Sequence, residues 1–246
     1  MSIFQTVRGT HDQLPDVFRD HKRVTDTARD ISARYGFREM TPPVFEFTQV
    51  FSRTMGEASD VVTKEMYTFA DRSGEEQISL RPEFTAGICR AFVSNALYDQ
   101  APFKAFATGP LFRYERPQKG RQRQFHQIDM EILGVPGTAA DIEVLAVGQH
   151  ILEELGVAGD VTLKLNSLGD PESRAAYREK LIAYLQPFRA ELSADSRERL
   201  HRNPLRVFDS KSERDQEIVA DAPLLKDHLN DTSKAFFDEV CKGLTR

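Results

Sequence analysis

Apolar residues recur with a helical period over the first part of the chain. The stripe consists of Val17, Val24, Ala28, Ile31 and Tyr35. This spacing predicts one long amphipathic helix from about Asp16 to Tyr35. We expect Asp16 to cap its start and Gly36 to end it in the left-handed conformation.

The segment after this helix contains two consecutive prolines. Proline cannot donate to a strand ladder, so Pro42 and Pro43 predict a sheet edge or a turn against another surface. Phe45, Phe47 and Phe51 follow closely. Two interpretations of these rings stay open: ordinary core residues, or a surface through which the chain associates with itself.

A β-hairpin is predicted over residues 66–80. Two strand-like runs, 66–69 and 77–80, flank the turn-forming sequence Asp-Arg-Ser-Gly. A helix is expected to follow Pro82, which is favoured in a first helical turn, with the acid Glu83 beside it. Another strand pair is expected within residues 104–133.

The later part of the chain changes character near residue 168. Before that point, a helix is expected from about Ala139 to Leu155, and alternating Val161, Leu163 and Leu165 predict a half-buried strand. Beyond it the pattern is that of short, highly charged helices. We therefore predict two units, residues 1–168 and residues 169–246.

Composition narrows the classes of function. The chain has 246 residues, 40% of them hydrophobic, and a formal net charge of −5. Such a chain can bury a core, but it is not a general polyanion binder, so any nucleic-acid contact requires a local basic patch.

Two distant cysteines and six scattered histidines give neither a disulfide framework nor a metal site. A reduced, cytoplasmic location is therefore expected. No signal-peptide pattern occurs, and no apolar stretch approaches the ~20 residues that span a bilayer, so no membrane partner is expected.

One predicted strand carries an unusual polar face. Because side chains alternate along a strand, one face has Phe125, Gln127, Asp129 and Glu131, and the other can pack on a core. A solvated sheet face is the simple interpretation. The preceding strand is expected to add Arg113 and Glu115, which would turn this face into a cleft with both signs of charge.

Such a cleft suits an amino acid together with ATP. Arginine is the donor that best fits a phosphate, acids and an amide bind an ammonium group, and an aromatic ring such as Phe125 stacks on a base. A reaction between these two ligands needs no protein nucleophile. Catalysis would then consist of positioning and charge neutralisation.

Four stretches, residues 8–15, 37–47, 80–87 and 112–127, carry recognisable motifs in a fixed order. Together they resemble the class II aminoacyl-tRNA synthetases, in the form found in histidyl-tRNA synthetases. The stretch 112–127, with its Arg-Tyr-Glu-Arg-Pro-Gln-Lys-Gly-Arg run, resembles the second signature motif. The stretch centred on Pro43 resembles the first motif, which builds the dimer interface, and 80–87 resembles the segment that binds the histidine amino group.

The resemblance implies an α+β fold with two parts. Residues 1–168 would form the N-terminal part of a class II synthetase-like antiparallel sheet flanked by helices, and residues 169–246 a small, mainly helical insertion module. The implied activity is that of a histidine–tRNA ligase, which activates L-histidine with ATP and transfers it to the 3′ end of tRNA(His). Mg²⁺ would accompany ATP, and a homodimer would form around Pro43.

The resemblance also implies a role for each matching side chain. Arg113 would be catalytic, holding the α-phosphate and the reacting carboxylate. The histidine-binding residues would be Glu83, Thr85, Gln127 and Glu131. The ATP-binding residues would be Arg113, Glu115, Arg121 and Phe125. The tRNA-binding residues would be Arg116, Gln118 and Arg123.

Simpler roles stay open for several of these residues. Arg113 and Glu115 could form a plain cross-strand salt bridge, and Glu83 could be an acid at a helix start. Arg116 and Arg123 could be solvated loop charges. For Asp129, a ligand role and a structural role are equally open.

Members of the resembled family are expected to continue past the length of this chain, with further arginines and an anticodon-binding domain. We therefore expect the 246-residue chain alone, a fragment or a truncated gene product, to have little ligase activity. Two other functions remain. One is a non-catalytic paralogue that regulates ATP phosphoribosyltransferase in histidine biosynthesis, and the other is a purely structural dimerisation module.

Overall fold

The fold, taken from a computed structural model, is described for residues 4–56, 59 and 61–245. The chain divides into two compact units, Met1–Val161 and Thr162–Arg246. Unit 1 combines helices with two small sheets, and unit 2 is helical in its described part. The fold is therefore α+β, as the sequence predicts.

A three-stranded sheet forms the centre of unit 1. Its strands are β1 (Arg38–Glu39), β5 (Phe103–Phe112) and β6 (Gln124–Leu133), in the order β1-β5-β6. β1 runs parallel to β5, and β5 pairs antiparallel with β6 along its whole length. The short β1 lies at the edge, as the prolines that follow it require.

Helices cover both faces of this sheet. α1 (Pro15–Arg34) and α4 (Thr138–Glu154) cover one face, where Ile31, Phe106 and Val147 are buried. α3 (Thr85–Ser94) covers the other, where Ile88 packs against small strand residues such as Ala105 and Ala107. The small side chains let this helix approach the sheet closely.

A second, antiparallel sheet has the order β2-β4-β3. Its strands are β2 (Phe45–Phe47), β3 (Thr68–Ala70) and β4 (Gln77–Leu80). β3 and β4 form the predicted hairpin, and α2 (Thr48–Met55) follows β2 directly. The three phenylalanines divide between the two interpretations: Phe51 is fully buried, whereas Phe45 and Phe47 are 55% and 44% exposed.

The predicted starts of two helices are wrong by one or two residues. α1 begins at Pro15, with Leu14 rather than Asp16 at the cap position and no side-chain cap, because proline itself fits the first helical position. α3 begins at Thr85, so Pro82 precedes the helix instead of lying in its first turn. Gly36 has the expected positive φ of 82°.

Unit 2 contains four α-helices in its described part, together with short 3₁₀ turns. They are α5 (Pro171–Leu185), α6 (Ala194–Arg202), α7 (Glu213–Ala220) and α8 (Asp231–Leu244). Tyr177, Leu181, Leu200 and Ile218 are among its buried core residues. Asp170 caps α5 by accepting a hydrogen bond from Ser173 N at 2.8 Å.

The predicted strand over Val161, Leu163 and Leu165 is wrong. These residues belong to no strand, and their side chains are 48%, 56% and 37% exposed. An alternating pattern makes a strand only where a neighbouring strand supplies backbone partners, and none pairs with this segment in the described part of the chain.

Candidate active site

The polar face of β6 lies against α3. The register sets Gln127 opposite Gly109, Asp129 opposite Ala107 and Glu131 opposite an alanine as well. Because the facing residues on β5 are this small, the polar side chains of β6 have room between the sheet and the helix. The solvated sheet face is therefore the wrong interpretation: Asp129 is buried, and Gln127 and Glu131 are half-buried.

Glu131 is tied to the first residue of α3. Thr85 Oγ1 donates a hydrogen bond to Glu131 Oε1 at 2.6 Å. Burial raises the pKa of Glu131, the bond from Thr85 lowers it, and the charge of Glu83 raises it. The net result is a raised pKa, as for a carboxylate that lacks a cationic partner.

Asp129 is the most deeply buried acid of the site, with only 8% of its surface exposed. Gln127 Nε2 donates to its Oδ1 at 3.3 Å, while its Oδ2 has no hydrogen-bond partner. Burial raises the pKa of Asp129 to about 7, and the charges of Glu131 and Glu83 raise it too. This carboxyl group therefore exchanges a proton near neutral pH.

Glu83 completes the group of acids at the N-terminal end of α3. Its Oε1 accepts a hydrogen bond from Ala86 N at 2.9 Å, so it serves as the helix-start acid that the sequence left open. Cys89, one turn into α3, is half-buried. Burial and the charges of Glu131, Glu83 and Asp129 raise the pKa of its thiol.

Arg113 lies just past the end of β5. Its Nε donates to Pro82 O at 2.9 Å, in the main chain just before Glu83. Its Cζ lies 5.3 Å from the centre of the Phe125 ring. Arg113, the predicted phosphate-binding residue, and Phe125, the predicted stacking ring, therefore lie together in one site. The bond to Pro82 O joins them to the main chain at the start of the acidic group.

The prediction that Arg113 and Glu115 extend β5 is wrong. The strand ends at Phe112, because Tyr114 N turns away to donate to Glu65 O at 2.6 Å. Glu115 instead forms an ion pair with Arg121 at 2.9 Å. Glu115 is therefore paired with Arg121 and not, by a simple cross-strand salt bridge, with Arg113.

The basic loop between β5 and β6 contains two kinds of residue. Arg116, Gln118 and Arg121 are exposed. Arg123 is half-buried: its guanidinium lies 3.9 Å from the centre of the Tyr114 ring, and its Nε donates to Glu115 O at 3.2 Å. Arg123 therefore braces the base of the loop and is not the freely solvated charge that the sequence allowed.

Arg81 is a site residue to which the sequence gave no role. It is 3% exposed, and it donates from Nη1 to Pro42 O at 2.7 Å and from Nε to Pro110 O at 3.0 Å. Its guanidinium also lies 4.5 Å from the centre of the Phe84 ring. A buried arginine that bonds main-chain carbonyls leaves no periodic signal in the sequence.

Comparison with known proteins places this site in a family. A family model described as histidyl-tRNA synthetase matches residues 9–170, which is well over half of the chain. The chain belongs to the histidyl-tRNA synthetase family. The match includes every residue of the candidate site, from Arg81 to Glu131, and so the family resemblance seen in the motifs is confirmed.

Curated members of the histidyl-tRNA synthetase family match almost the whole chain. The histidine–tRNA ligase of Rhodospirillum rubrum is 58% identical over 244 residues, which are 99% of this chain and 59% of that protein. The enzyme of Rickettsia bellii is 51% identical over 240 residues, 98% of this chain and 58% of that protein. The chain thus spans a little under three fifths of the length of these relatives.

Solved structures agree with the fold. Apo histidyl-tRNA synthetase from S. aureus is similar with a TM-score of 0.71 and 31% identity, over 99% of this chain and 55% of that one. A Bacillus halodurans protein described as an ATP phosphoribosyltransferase regulatory subunit/histidyl-tRNA synthetase has a TM-score of 0.62 at 20% identity, over 99% and 65% of the two chains. The latter likeness concerns the fold alone.

Two features are absent from the part of this synthetase-family chain that the structure describes. No helix in this part is long and apolar enough to cross a membrane. No group of three or more histidine, cysteine, aspartate or glutamate side chains there is arranged to hold a metal ion.

Proposed function

We propose that this chain supplies the amino-acid- and ATP-binding part of a histidine–tRNA ligase. One observation carries the proposal: residues 82–85 contact both the cationic and the acidic part of the site, because Arg113 Nε donates to Pro82 O and Thr85 Oγ1 donates to Glu131 Oε1. Such a site suits a zwitterionic amino acid next to a phosphate.

The acidic side of the site would bind the amino acid. Glu83, Thr85, Gln127 and Glu131 provide carboxylate, hydroxyl and amide oxygens, which accept hydrogen bonds from an ammonium group and an imidazole N–H. Burial and the charge of Glu83 raise the pKa of Glu131, and a cationic ligand would lower it.

The basic side would bind ATP. Arg113 would contact the α-phosphate and the reacting carboxylate, with Phe125 stacking on adenine, Glu115 accepting from its amino group and Arg121 reaching the outer phosphates. Arg121 and Glu115 pair with each other at 2.9 Å, so the proposed contacts to the outer phosphates and to adenine come from neighbouring side chains. Mg²⁺ would be bound through the nucleotide's phosphates.

The reaction would be an in-line displacement at phosphorus. A carboxylate oxygen of histidine attacks the α-phosphorus, the bond to the β-phosphate oxygen breaks, and pyrophosphate leaves. Arg113 neutralises charge on the α-phosphate as the new bond forms, which is electrostatic catalysis without a protein nucleophile. A hydroxyl of the 3′-terminal ribose of tRNA(His) then attacks the carbonyl carbon of histidyl-adenylate, the bond to the phosphate oxygen breaks, and AMP leaves.

Two exposed surfaces support the proposed partners, which are tRNA(His) and a second copy of the chain. Arg116 and Gln118, exposed in the basic loop, are suited to contact the acceptor end of tRNA(His), with Arg123 bracing the loop from below. Phe45 and Phe47 are exposed close to Pro43, which supports a homodimer through this region. A cytoplasmic location stays a prediction.

Calorimetric titration of the 246-residue chain with L-histidine and with ATP tests the binding part of this proposal. We expect both to bind, and Gln127→Ala to weaken histidine binding at least tenfold, since a buried hydrogen bond to a charged group contributes about 1.5–3 kcal/mol. Gln149→Ala, on the exposed face of α4, is the matched control. Failure of the wild-type chain to bind either ligand would contradict the proposal.

The sequence also allowed a regulator of ATP phosphoribosyltransferase. The ligase is better supported, because the curated relatives from Rhodospirillum rubrum and Rickettsia bellii, 58% and 51% identical, are both named histidine–tRNA ligase. Co-purification with a phosphoribosyltransferase, together with an absence of histidine and ATP binding, would favour the regulator.

A further inference from the structure

Asp129 has an oxygen atom that the surrounding protein does not use. Its Oδ1 accepts a hydrogen bond from Gln127 Nε2, and its buried Oδ2 has no partner. Buried polar atoms in folded proteins are nearly always hydrogen-bonded, so an orphaned carboxyl oxygen calls for a functional explanation. The Asp129 side chain lies among the residues that are proposed to bind the amino acid. Asp129 itself has no role in that proposal.

The charges around Asp129 are mostly of its own sign. Glu131 faces it from the same strand, and Glu83 and Cys89 approach from α3 and its start. The residue opposite on β5 is Ala107, which carries no charge. The two arginines of the site, Arg81 and Arg113, donate to main-chain carbonyls.

We propose that Asp129 is a positioning residue, which orients the Gln127 amide so that Oε1 accepts a hydrogen bond from the ammonium group of the bound amino acid, and which loses a proton when that group binds. The proposal rests on the proposed function for the identity of the amino acid. It extends that function, because Asp129 acts through Gln127 and its proton rather than by touching the ligand.

The two protonation states of Asp129 orient Gln127 in opposite ways. An ionised carboxylate only accepts hydrogen bonds, so it fixes the Gln127 NH₂ group toward itself and leaves Oε1 toward the ligand. A protonated carboxyl can donate to Oε1, which turns the NH₂ group toward the ligand. An NH₂ group repels an ammonium, so binding favours ionised Asp129.

The proton balance follows from this preference. Near neutral pH the free site holds the proton on Asp129 in part of the molecules, since its pKa is about 7. Binding of an ammonium group brings a positive charge close to the carboxyl and lowers that pKa. The O–H bond of Asp129 then breaks, and the proton passes to water and the buffer.

A ligand-free experiment tests the orienting role. In ¹⁵N-labelled full chain, the Gln127 side-chain amide resonances should shift with pH, with a midpoint near that of the Asp129 carboxyl in ¹³C spectra. The Gln149 amide, on an exposed face, should not follow this midpoint. A Gln127 amide that does not respond to the Asp129 titration would overturn the proposal.

A ligand experiment tests the coupling to proton release. L-histidine and histamine, which share an ammonium group, are titrated into the full chain at pH 7 in two buffers of different ionisation enthalpy. We expect roughly half a proton to be released per ligand beyond that seen with Asp129→Asn, because half of the Asp129 carboxyls are protonated at their pKa. Asp129→Asn should also bind about tenfold more weakly, and its binding should depend less on pH between pH 6 and 8.

The controls separate this inference from the proposed function. Asp99→Asn makes the same charge change on an exposed residue and should behave as wild type. Proton release with histamine but no binding of L-histidine would contradict the proposed function and support this inference. Three outcomes would overturn this inference. They are an Asp129→Asn variant that binds and releases protons as the wild type does, ligand binding without proton release, and binding of neither ammonium ligand. If Asp129→Asn does not fold, the ligand-free titration of the Gln127 amide in the wild-type chain still decides.

Discussion

Thr85 Oγ1 and Glu131 Oε1 lie 2.6 Å apart and join the start of α3 to β6. Burial raises the pKa of Glu131, and the Thr85 hydroxyl opposes this effect. We predict that Thr85→Val raises that pKa further and weakens histidine binding at pH 7. Carboxyl ¹³C NMR and calorimetry measure the two effects. Thr54→Val, an exposed threonine of α2, should leave both unchanged.

Arg113→Lys should weaken ATP binding by tenfold or more. Lysine keeps the charge, but it cannot bind Pro82 O and a phosphate through one planar group as the Arg113 guanidinium can. Titration of the full chain with ATP measures the change. Arg72→Lys, in the exposed turn of the hairpin, is the matched control, and equal ATP affinities of the two variants would contradict a phosphate role.

Gly9→Ala should destabilise unit 1 and displace the basic loop. Gly9 has φ +84°, and an added Cβ would lie 2.6 Å from Arg123 Cγ. The Gly9 carbonyl also accepts from Arg123 N at 2.7 Å, so the clash cannot be relieved without straining this bond. We expect a loss of about 1–3 kcal/mol in thermal unfolding. Gly137→Ala, with no atom within 4 Å of the added Cβ, should cost less.

Asp129 should make unit 1 less stable as the pH rises. Its folded-state pKa of about 7 lies above the ordinary value of 3.8, so the folded chain binds more protons than the unfolded one between these values. This contribution is fully present below about pH 4 and is lost as the pH rises through 7. Urea unfolding of wild type and Asp129→Asn should converge at low pH and diverge, in favour of the variant, by pH 8.

Asp215 should have the opposite pH dependence in unit 2. The hydroxyls of Ser193, Ser196 and Ser210 each donate to its Oδ2 at 2.6 Å. Burial raises its pKa, but these bonds prevail and lower it to about 2. Its contribution is therefore present above about pH 4 and is lost as the pH falls toward 2.

Removal of the Asp215 charge gives the corresponding mutational test. Asp215→Asn should cost about 2–4 kcal/mol at pH 7, because the amide cannot accept all the bonds that converge there. Urea unfolding measures the loss, and Asp195→Asn, exposed in α6, should have little effect. Equal stabilities at pH 7 would show that the serine bonds contribute nothing net.

The strand β6 shows how far the sequence could predict the site. Alternation correctly divided its side chains between a core face and a polar face, because that division depends only on strand geometry. It could not tell that the polar face is covered. The burial of Asp129 depends on Ala107 across the sheet and on the close approach of α3, and both are long-range contacts.

The wrong predictions have the same origin. Val161, Leu163 and Leu165 alternate as a strand would, yet pairing depends on a neighbour that local sequence cannot supply. The alternating pattern likewise continues beyond Phe112, but the strand stops there because Tyr114 N bonds a carbonyl of a distant segment. The family motifs do not depend on strand pairing, and the structure brings several of the residues they single out together between α3 and β6.

The buried guanidinium of Arg81 has a consequence for how this site responds to acid and base. Burial lowers its pKa, yet a guanidinium remains charged at every pH at which proteins fold. Its bonds to Pro42 O and Pro110 O are therefore constant, while the carboxyls of Asp129 and Glu131 gain and lose protons. Arg81 thus joins the segments that contain Pro42 and Pro110 in the same way in acid and in base. Only the charge between α3 and β6 changes with pH, and the main chain that surrounds it stays joined.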